Sequence, residues 1–342
     1  MFQPDQICTP EIDFHNILHQ IMMYQVEQNQ IYKRYLDGLY SRDLILFGHP
    51  DLNFISSENI DPDKIPLLPV EAFRDAKVYA EGDKNHELEF RSSGTTTSIR
   101  SRHYVAFKSQ YEAAIFNGFN YFYNLNDFVI LAYTPGYIAN PNSSLIWMLN
   151  ALIGQDQTGM SRFLEVGMQI DEDVIQTILN SGKNLMLFGA AFGLIEMAEN
   201  FPIKLPSDSI IMETGGMKTH RKEMTRDQMH KTLANGFGLQ SDRIHSEYGM
   251  TELLSQAYSL GDYWFKTPPW MQISIRNRFN PMESMEAGQE GLIGVIDLAN
   301  WASCPFILTG DLGVKRTDGA FQVLGRVNKH HLRGCNFLLE VD

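Results

Sequence analysis

The sequence predicts an α/β protein: a mostly parallel sheet flanked by helices, with a β-rich subdomain toward the C-terminus. Three observations lead there. Between residues 128 and 235, short apolar runs that suit buried strands alternate with helical stretches, the pattern of a parallel sheet covered on both faces. Beyond about residue 270 the helical stretches thin out, and strand-like segments joined by glycine turns replace them. The 342 residues are 44% hydrophobic and 20% charged, enough apolar material for one large domain or two ordinary ones.

The elements follow in chain order. Residues 10–38 read as one amphipathic helix, with Thr9 as N-cap, Pro10 in the first turn, and Phe14, Leu18, Ile21 and Met22 near one face. Prolines punctuate 60–80, leaving a short helix between loops. ELEF, 87–90, is a strand. Ser109 and Glu112 have the spacing of a capping box for a helix through Tyr123. FVILAY (128–133), LMLF (185–188) and SIIM (209–212) read as buried strands, and 143–153, 192–200 and 219–235 as helices. MQISIR, GLIGVIDL and CPFIL are the strands of the β-rich part. No repeat or low-complexity linker interrupts the chain.

A net charge of −13 argues against a broad nucleic-acid surface, which needs a positive footprint. A small anion needs only a few donors, so a local basic site stays open. Cys8, Cys304 and Cys335 lie far apart without CxxC spacing, so neither a disulfide framework nor a structural zinc is expected. No basic region followed by an apolar stretch opens the chain, and no run of about 18 apolar residues occurs. The expectation is a cytoplasmic protein without a membrane span.

Five segments carry chemistry. SSGTTTSIR, 92–100, brings Ser92, Ser93, Gly94, Thr95, Thr96 and Arg100 onto one turn. Small residues let backbone N–H groups approach an anion, hydroxyls donate, and the arginine adds charge. A plain turn has the same composition, and the Walker A spacing is missing. In HSEYGMTELLSQAYS, 245–259, Tyr248, Gly249, Thr251 and Glu252 precede a run read as helical. An aromatic face there can stack on a base, a hydroxyl can reach phosphate, and a carboxylate can hold Mg²⁺; an acidic helix N-terminus is the simpler alternative. In ILTGDLG, Asp311 sits on a Gly-Asp turn and can accept both hydroxyls of a ribose. In LGRVNKHH, Arg326 can contact ribose or phosphate, whereas the adjacent His330 and His331 face different ways and suit a solvated surface. In METGGMKTH, Gly215 and Gly216 allow a flat ring to lie on the backbone, or form an ordinary strand-to-helix turn.

Together and in this order, SSGTTTSIR, EYGMTE, TGD and LGRVN resemble the motifs of adenylate-forming enzymes. IPLLPVEAFRDAKV, LAYTPGYIANPNSSLIWML, GGMK, EYGMTELLSQAY and RGCN resemble the acyl-protein synthetase (LuxE) family more closely, over about 65–340. The resemblance implies the N-terminal domain of an adenylate-forming enzyme over 1–325 and a truncated hinge and C-terminal segment over 326–342, with the lid domain absent or vestigial. It implies ATP and Mg²⁺ as cofactors, activation of a fatty or aryl acid as an acyl-adenylate, and transfer of the acyl group to a thiol. Ser92, Ser93, Gly94, Thr95, Thr96 and Arg100 would hold the leaving phosphates, Thr251 the α-phosphate and Glu252 the metal. Tyr248 would stack on adenine with Gly215 and Gly216 beneath it, Gly249 would also contact the nucleotide, and Asp311 and Arg326 would fix the ribose. Cys335 would carry the acyl group, with Arg333 or His331 favouring its thiolate. The acid would lie between 131–137, 184–193 and the Tyr248 segment. Where the wider superfamily has glycine, lysine and aspartate, this chain has Thr97, Arg100 and Asn328. The final acceptor is left open between Cys335, a carrier protein, CoA and an acyl-CoA reductase-like partner. A phenylacetate-CoA-ligase-like synthetase and a non-catalytic nucleotide- or acyl-binding homologue also remain open.

Overall fold

The computed structural model describes residues 3–41, 60–81, 85–92, 100–137, 140–215 and 224–327. The N-terminal helical region is two helices, α1 (Phe14–Gln28) and α2 (Gln30–Ser41), not one. Asn29 makes the break. Its side-chain oxygen accepts from the backbone N–H groups of Ile31 and Tyr32, capping α2, while its amide donates to Gln25 and to the Ser303 carbonyl. Apolar spacing runs through this joint, so periodicity alone hides it. The N-cap of α1 is Asp13, not Thr9, whose hydroxyl turns back to the Gln6 carbonyl.

Downstream come β1 (Leu68–Pro69), the single-turn α3 (Ala72–Asp75), β2 (Leu88–Arg91), β3 (Arg102–Val105) and α4 (Lys108–Phe122). The Ser109 capping box does not form. Phe107 is the N-cap, and the Glu87 carboxylate accepts from Lys108 N at 2.6 Å, taking over the role of a local cap. The alternating part then runs β4 (Phe128–Tyr133), α5 (Ser144–Gly154), β5 (Arg162–Phe163), α6 (Glu172–Asn180), β6 (Asn184–Ala190), α7 (Ala191–Asn200), β7 (Ile210–Thr214), α8 (Arg226–Phe237) and β8 (Ile244–Tyr248). Helix α8 starts later than the pattern suggests, at a true capping box between Thr225 and Gln228; residues 219–223 lie outside the described residues.

The β-rich part comprises β9 (Ala257–Ser259), β10 (Phe265–Lys266), β11 (Met271–Arg276), β12 (Glu290–Asp297), β13 (Phe306–Lys315) and β14 (Phe321–Arg326). It continues the same sheet. Twelve strands join in the order β11-β12-β13-β14-β10-β9-β8-β7-β6-β4-β5, with β1 parallel to β13; β2 and β3 form a separate hairpin. Pairing is parallel from β5 to β8 and antiparallel from β8 onward.

Burial explains why the central strands are so apolar. In β4, Val129, Leu131 and Tyr133 face a core shared with α6, α7 and α8, while Ile130 and Ala132 face the core shared with α4 and α5. A strand covered on both faces has no polar side, so alternation disappears. Among the described residues no helix is long and apolar enough to cross a membrane.

Candidate functional site

The carboxyl ends of β7 and β8 meet the middle of β13 and the end of β14 at one place. Tyr248 ends β8, and its hydroxyl donates to Asp311 Oδ2 at 3.0 Å. Arg326 lies directly opposite Asp311 across the β13–β14 pair, and its Nε donates to Asp311 Oδ1 at 2.8 Å. Gly310 and Asp311 are therefore not a turn: they sit inside a ten-residue strand that pairs with β14, one residue before the register of that pairing shifts between Leu312 and Gly313. Two bonds use about half of what a carboxylate accepts, so Asp311 retains capacity for a diol. The ring of Tyr248 packs by its edges against Phe265 and Phe321.

The segment after Tyr248 is not a helix. It turns and enters β9 because a buried carboxylate captures it. Asp297 accepts from the backbone of Leu254 and Ser255, both at 2.9 Å, and from the Ser255 hydroxyl at 2.6 Å. Trp270 Nε1 donates to that same hydroxyl. The turn brings Glu252 under the site, where it is only 6% exposed. Burial raises its pKa; the Ser101 hydroxyl and the charge of Arg326 oppose that shift.

Ser101 and His103 link this turn to the hairpin. Ser92 and Ser101 are bonded to each other across the base of the Ser/Thr segment, through Ser92 N to the Ser101 carbonyl and Ser101 N to Ser92 Oγ. His103 is fully buried; its Nδ1 lies 2.8 Å from the Thr251 carbonyl oxygen and its Nε2 2.8 Å from Asn300 Oδ1. Burial lowers its pKa to about 4, against the pull of both contacts. In the sequence, His103 closes the run of bases Arg100, Arg102 and His103 expected to add charge beside an anion; buried and with its pKa lowered, it supplies no such charge. No signal in the sequence singled out Asn300 or Asp297.

Of the residues expected at the site, Tyr248, Glu252, Asp311 and Arg326 converge. Thr251 precedes Glu252 on the same turn, its carbonyl held against His103, and Ser92 follows β2, bonded to Ser101. Arg100 is exposed beyond Ser101, and Gly215 follows β7 at a φ of 78°. Ser93, Gly94, Thr95, Thr96, Gly216, Asn328 and Cys335 lie outside the described residues. A Cβ at Gly249 would meet the carboxylate end of Glu247, which would have to shift. A lone buried carboxylate suits Mg²⁺ whose other ligands are phosphate oxygens and water, and among the described residues no group of three or more His, Cys, Asp or Glu gathers as a metal cluster. Cys8 and Cys304 are free and buried, and burial pushes the Cys304 thiol up to about 12.

Glu247 points to the α4 side of β8, bonded to the Thr214 hydroxyl. Burial raises its pKa from 4.5 to about 7, with the charge of Glu213 adding to the rise. The folded protein thus holds this proton more tightly than the unfolded chain. That contribution is complete below about pH 4.5 and is lost as the pH rises through about 7, amounting to at most about 3 kcal/mol. Glu247→Gln has no such loss. Urea unfolding should show the variant gaining on the parent between about pH 5 and pH 8 by up to that amount; a difference flat with pH would contradict the assignment.

A family model described as acyl-protein synthetase, LuxE, matches residues 157–341. A long-chain-fatty-acid–luciferin-component ligase from Vibrio harveyi is 23% identical over 298 residues, covering 80% of this chain and 77% of the relative. Among solved structures, 2-hydroxyisobutyryl-CoA ligase in complex with 2-HIB-AMP and CoA superposes with a TM-score of 0.61 at 14% identity, over 92% of this chain and 68% of that one. A luciferase-like enzyme from the mealworm Zophobas morio gives 0.50 at 20% identity, over 78% and 62%. The chain spans about half the length (49%) of several other structures it matches. At these identities the structures share the fold: a mixed sheet flanked by helices, as in the N-terminal domains of adenylate-forming enzymes.

Proposed function

This chain belongs to the acyl-protein synthetase (LuxE) family, and from that premise we propose that it activates a carboxylic acid with ATP as an acyl-adenylate and passes the acyl group to a thiol. The observation that carries this reading is the convergence of Tyr248, Asp311, Arg326 and Glu252, from three separate stretches of chain, on one end of the parallel strands. Ligands of open α/β sheets bind at the carboxyl ends of the strands.

In this reading Asp311 takes the two ribose hydroxyls, Arg326 holds Asp311 in place, and Tyr248 with Gly215, Gly216 and Gly249 surrounds adenine. Thr251 contacts the α-phosphate. Ser92, Ser93, Gly94, Thr95, Thr96 and Arg100 hold the β- and γ-phosphates. Glu252 would hold Mg²⁺, which supplies charge neutralisation between phosphate oxygens. A substrate carboxylate oxygen attacks the α-phosphorus, the bond to the β-phosphate oxygen breaks, and pyrophosphate leaves. The chain's own work is positioning and electrostatics. A thiolate then attacks the acyl carbon and AMP departs. Cys335 is the proposed acceptor, because the Cys8 and Cys304 thiols are buried and held protonated. The acid is proposed to be a long-chain fatty acid, the substrate class in the name of the Vibrio harveyi relative. A reductase-like or carrier protein is the proposed onward partner.

Acid-dependent exchange of labelled pyrophosphate into ATP, run against a panel of fatty and aryl acids, tests the activation step. Exchange with at least one acid supports the reading, and none with any acid defeats it. For the second step, Cys335→Ser should keep exchange and lose hydroxylamine-sensitive labelling by the radioactive acid. Undiminished labelling would move the acceptor elsewhere.

A further inference from the structure

We propose that His103 and Asn300 form a positioning clamp that holds the Glu252 turn in register with the base of the Ser/Thr hairpin. The proposal rests on the nucleotide reading above, in which those two segments hold the metal and the phosphates.

The clamp joins three parts of the chain. Asn300 ends the short turn after β12 and is 1% exposed. Its amide nitrogen donates to the Glu252 carbonyl at 2.9 Å and to the Cys304 carbonyl at 3.0 Å. With both N–H groups committed, the side-chain oxygen must face His103. The ring of His103 sits between that oxygen and the Thr251 carbonyl, 2.8 Å from each; the neutral imidazole carries one N–H, so it donates to one of the two and packs against the other. Phe73 packs edge-on against the ring at 5.7 Å and fixes its plane. Two residues earlier, just before β3 begins, the Ser101 hydroxyl reaches the Glu252 carboxylate itself. The backbone and side chain of Glu252 are thus both referenced to β3, the strand that leaves the Ser/Thr segment.

A carboxylate that binds a phosphate-bridged cation must sit at a set distance from the phosphates. Loops alone hold such distances poorly, and hydrogen-bonded supports around a ligand set its position. Neither His103 nor Asn300 touches the proposed nucleotide, so their effect passes through Glu252 and Thr251.

The test reads metal binding directly. Mn²⁺ with α,β-methylene ATP is titrated by electron paramagnetic resonance into the full chain and into His103→Gln, Asn300→Asp and Asn29→Asp. Asn300→Asp keeps the shape but turns two donors into an acceptor facing two carbonyl oxygens. Asn29→Asp makes the same change at another buried asparagine, one that donates to Ser303 on the far side of the same turn. Thermal unfolding of each variant reports general destabilisation. The clamp predicts a loss of Mn²⁺ affinity of about 10- to 100-fold for His103→Gln and Asn300→Asp, with Asn29→Asp binding as the parent does despite its lower stability. If Asn300→Asp does not fold, His103→Gln against Asn29→Asp decides. Parental affinity in His103→Gln, or equal losses in all folded variants, overturns the clamp. A parent that binds no Mn²⁺–nucleotide overturns the nucleotide reading, and the clamp with it.

Discussion

Glu252→Gln should abolish acid-dependent ATP–pyrophosphate exchange, by about 100- to 1,000-fold, while leaving the protein folded and at least as stable as the parent. Two opposite demands meet on this side chain. Burial disfavours its charge and raises its pKa, so the folded chain alone gains nothing from the carboxylate. A glutamine fills the same space without that cost, and Ser101 can donate to its amide oxygen. A cation held against phosphates needs the negative charge, which an amide lacks. Stability and activity therefore move in different directions, and a urea melt beside the exchange assay separates them. A variant that exchanges like the parent removes Glu252 from the metal; one that unfolds makes its role structural.

Asp311→Ala should raise the KM for ATP by about 100-fold, or about 3 kcal/mol, with a smaller effect on kcat. The carboxylate organises the proposed ribose site twice over. It presents its open lone pairs to the diol, and it anchors the Tyr248 hydroxyl and the Arg326 guanidinium. Alanine removes both functions and leaves a buried phenol without its acceptor. Asp311→Asn keeps one oxygen and should fall between parent and alanine. Competition by 2′-deoxy-ATP checks the assignment: if Asp311 binds the diol, the parent discriminates against the deoxynucleotide and Asp311→Ala does not. Equal discrimination in both proteins would place the sugar elsewhere.

Much of the fold was legible because burial leaves a strong trace. FVILAY coincides with β4, the run at 185–188 lies within β6 and that at 209–212 overlaps β7 from Ile210, since strands covered on both faces must be apolar throughout. The strands that escaped were short or polar. β3, β5, β9 and β10 have two to four residues each, too few for an alternation to mark them, and exist through pairing with adjacent strands. Asn29 broke a helix that periodicity ran straight through. Asp297 drew the 253–255 segment away from the helix it was expected to form, from more than forty residues downstream.

The site divides in the same way. Tyr248, Glu252, Asp311 and Arg326 were legible because the order of their short motifs is distinctive, and the structure gathers them. Their supports were not. His103 and Asn300 are 197 residues apart and meet only after the sheet has closed. His103 was legible only as one of the bases after the Ser/Thr segment, not as a buried support, and a lone asparagine in LANWA carries no local pattern to mark it. The Gly-Asp step misled in one respect: glycine suggested a turn, but β14 holds it as strand and thereby sets Asp311 opposite Arg326.

The central claim is a location: one nucleotide between the Ser/Thr hairpin, Tyr248 and Asp311. A crystal structure with an acyl-sulfamoyl adenosine, a stable mimic of the acyl-adenylate, measures that location directly. The account predicts both ribose hydroxyls within about 3 Å of the Asp311 carboxylate, the adenine beside Tyr248, and the sulfamoyl group next to Thr251. An inhibitor bound with its ribose away from Asp311, or at another face of the sheet, would contradict it.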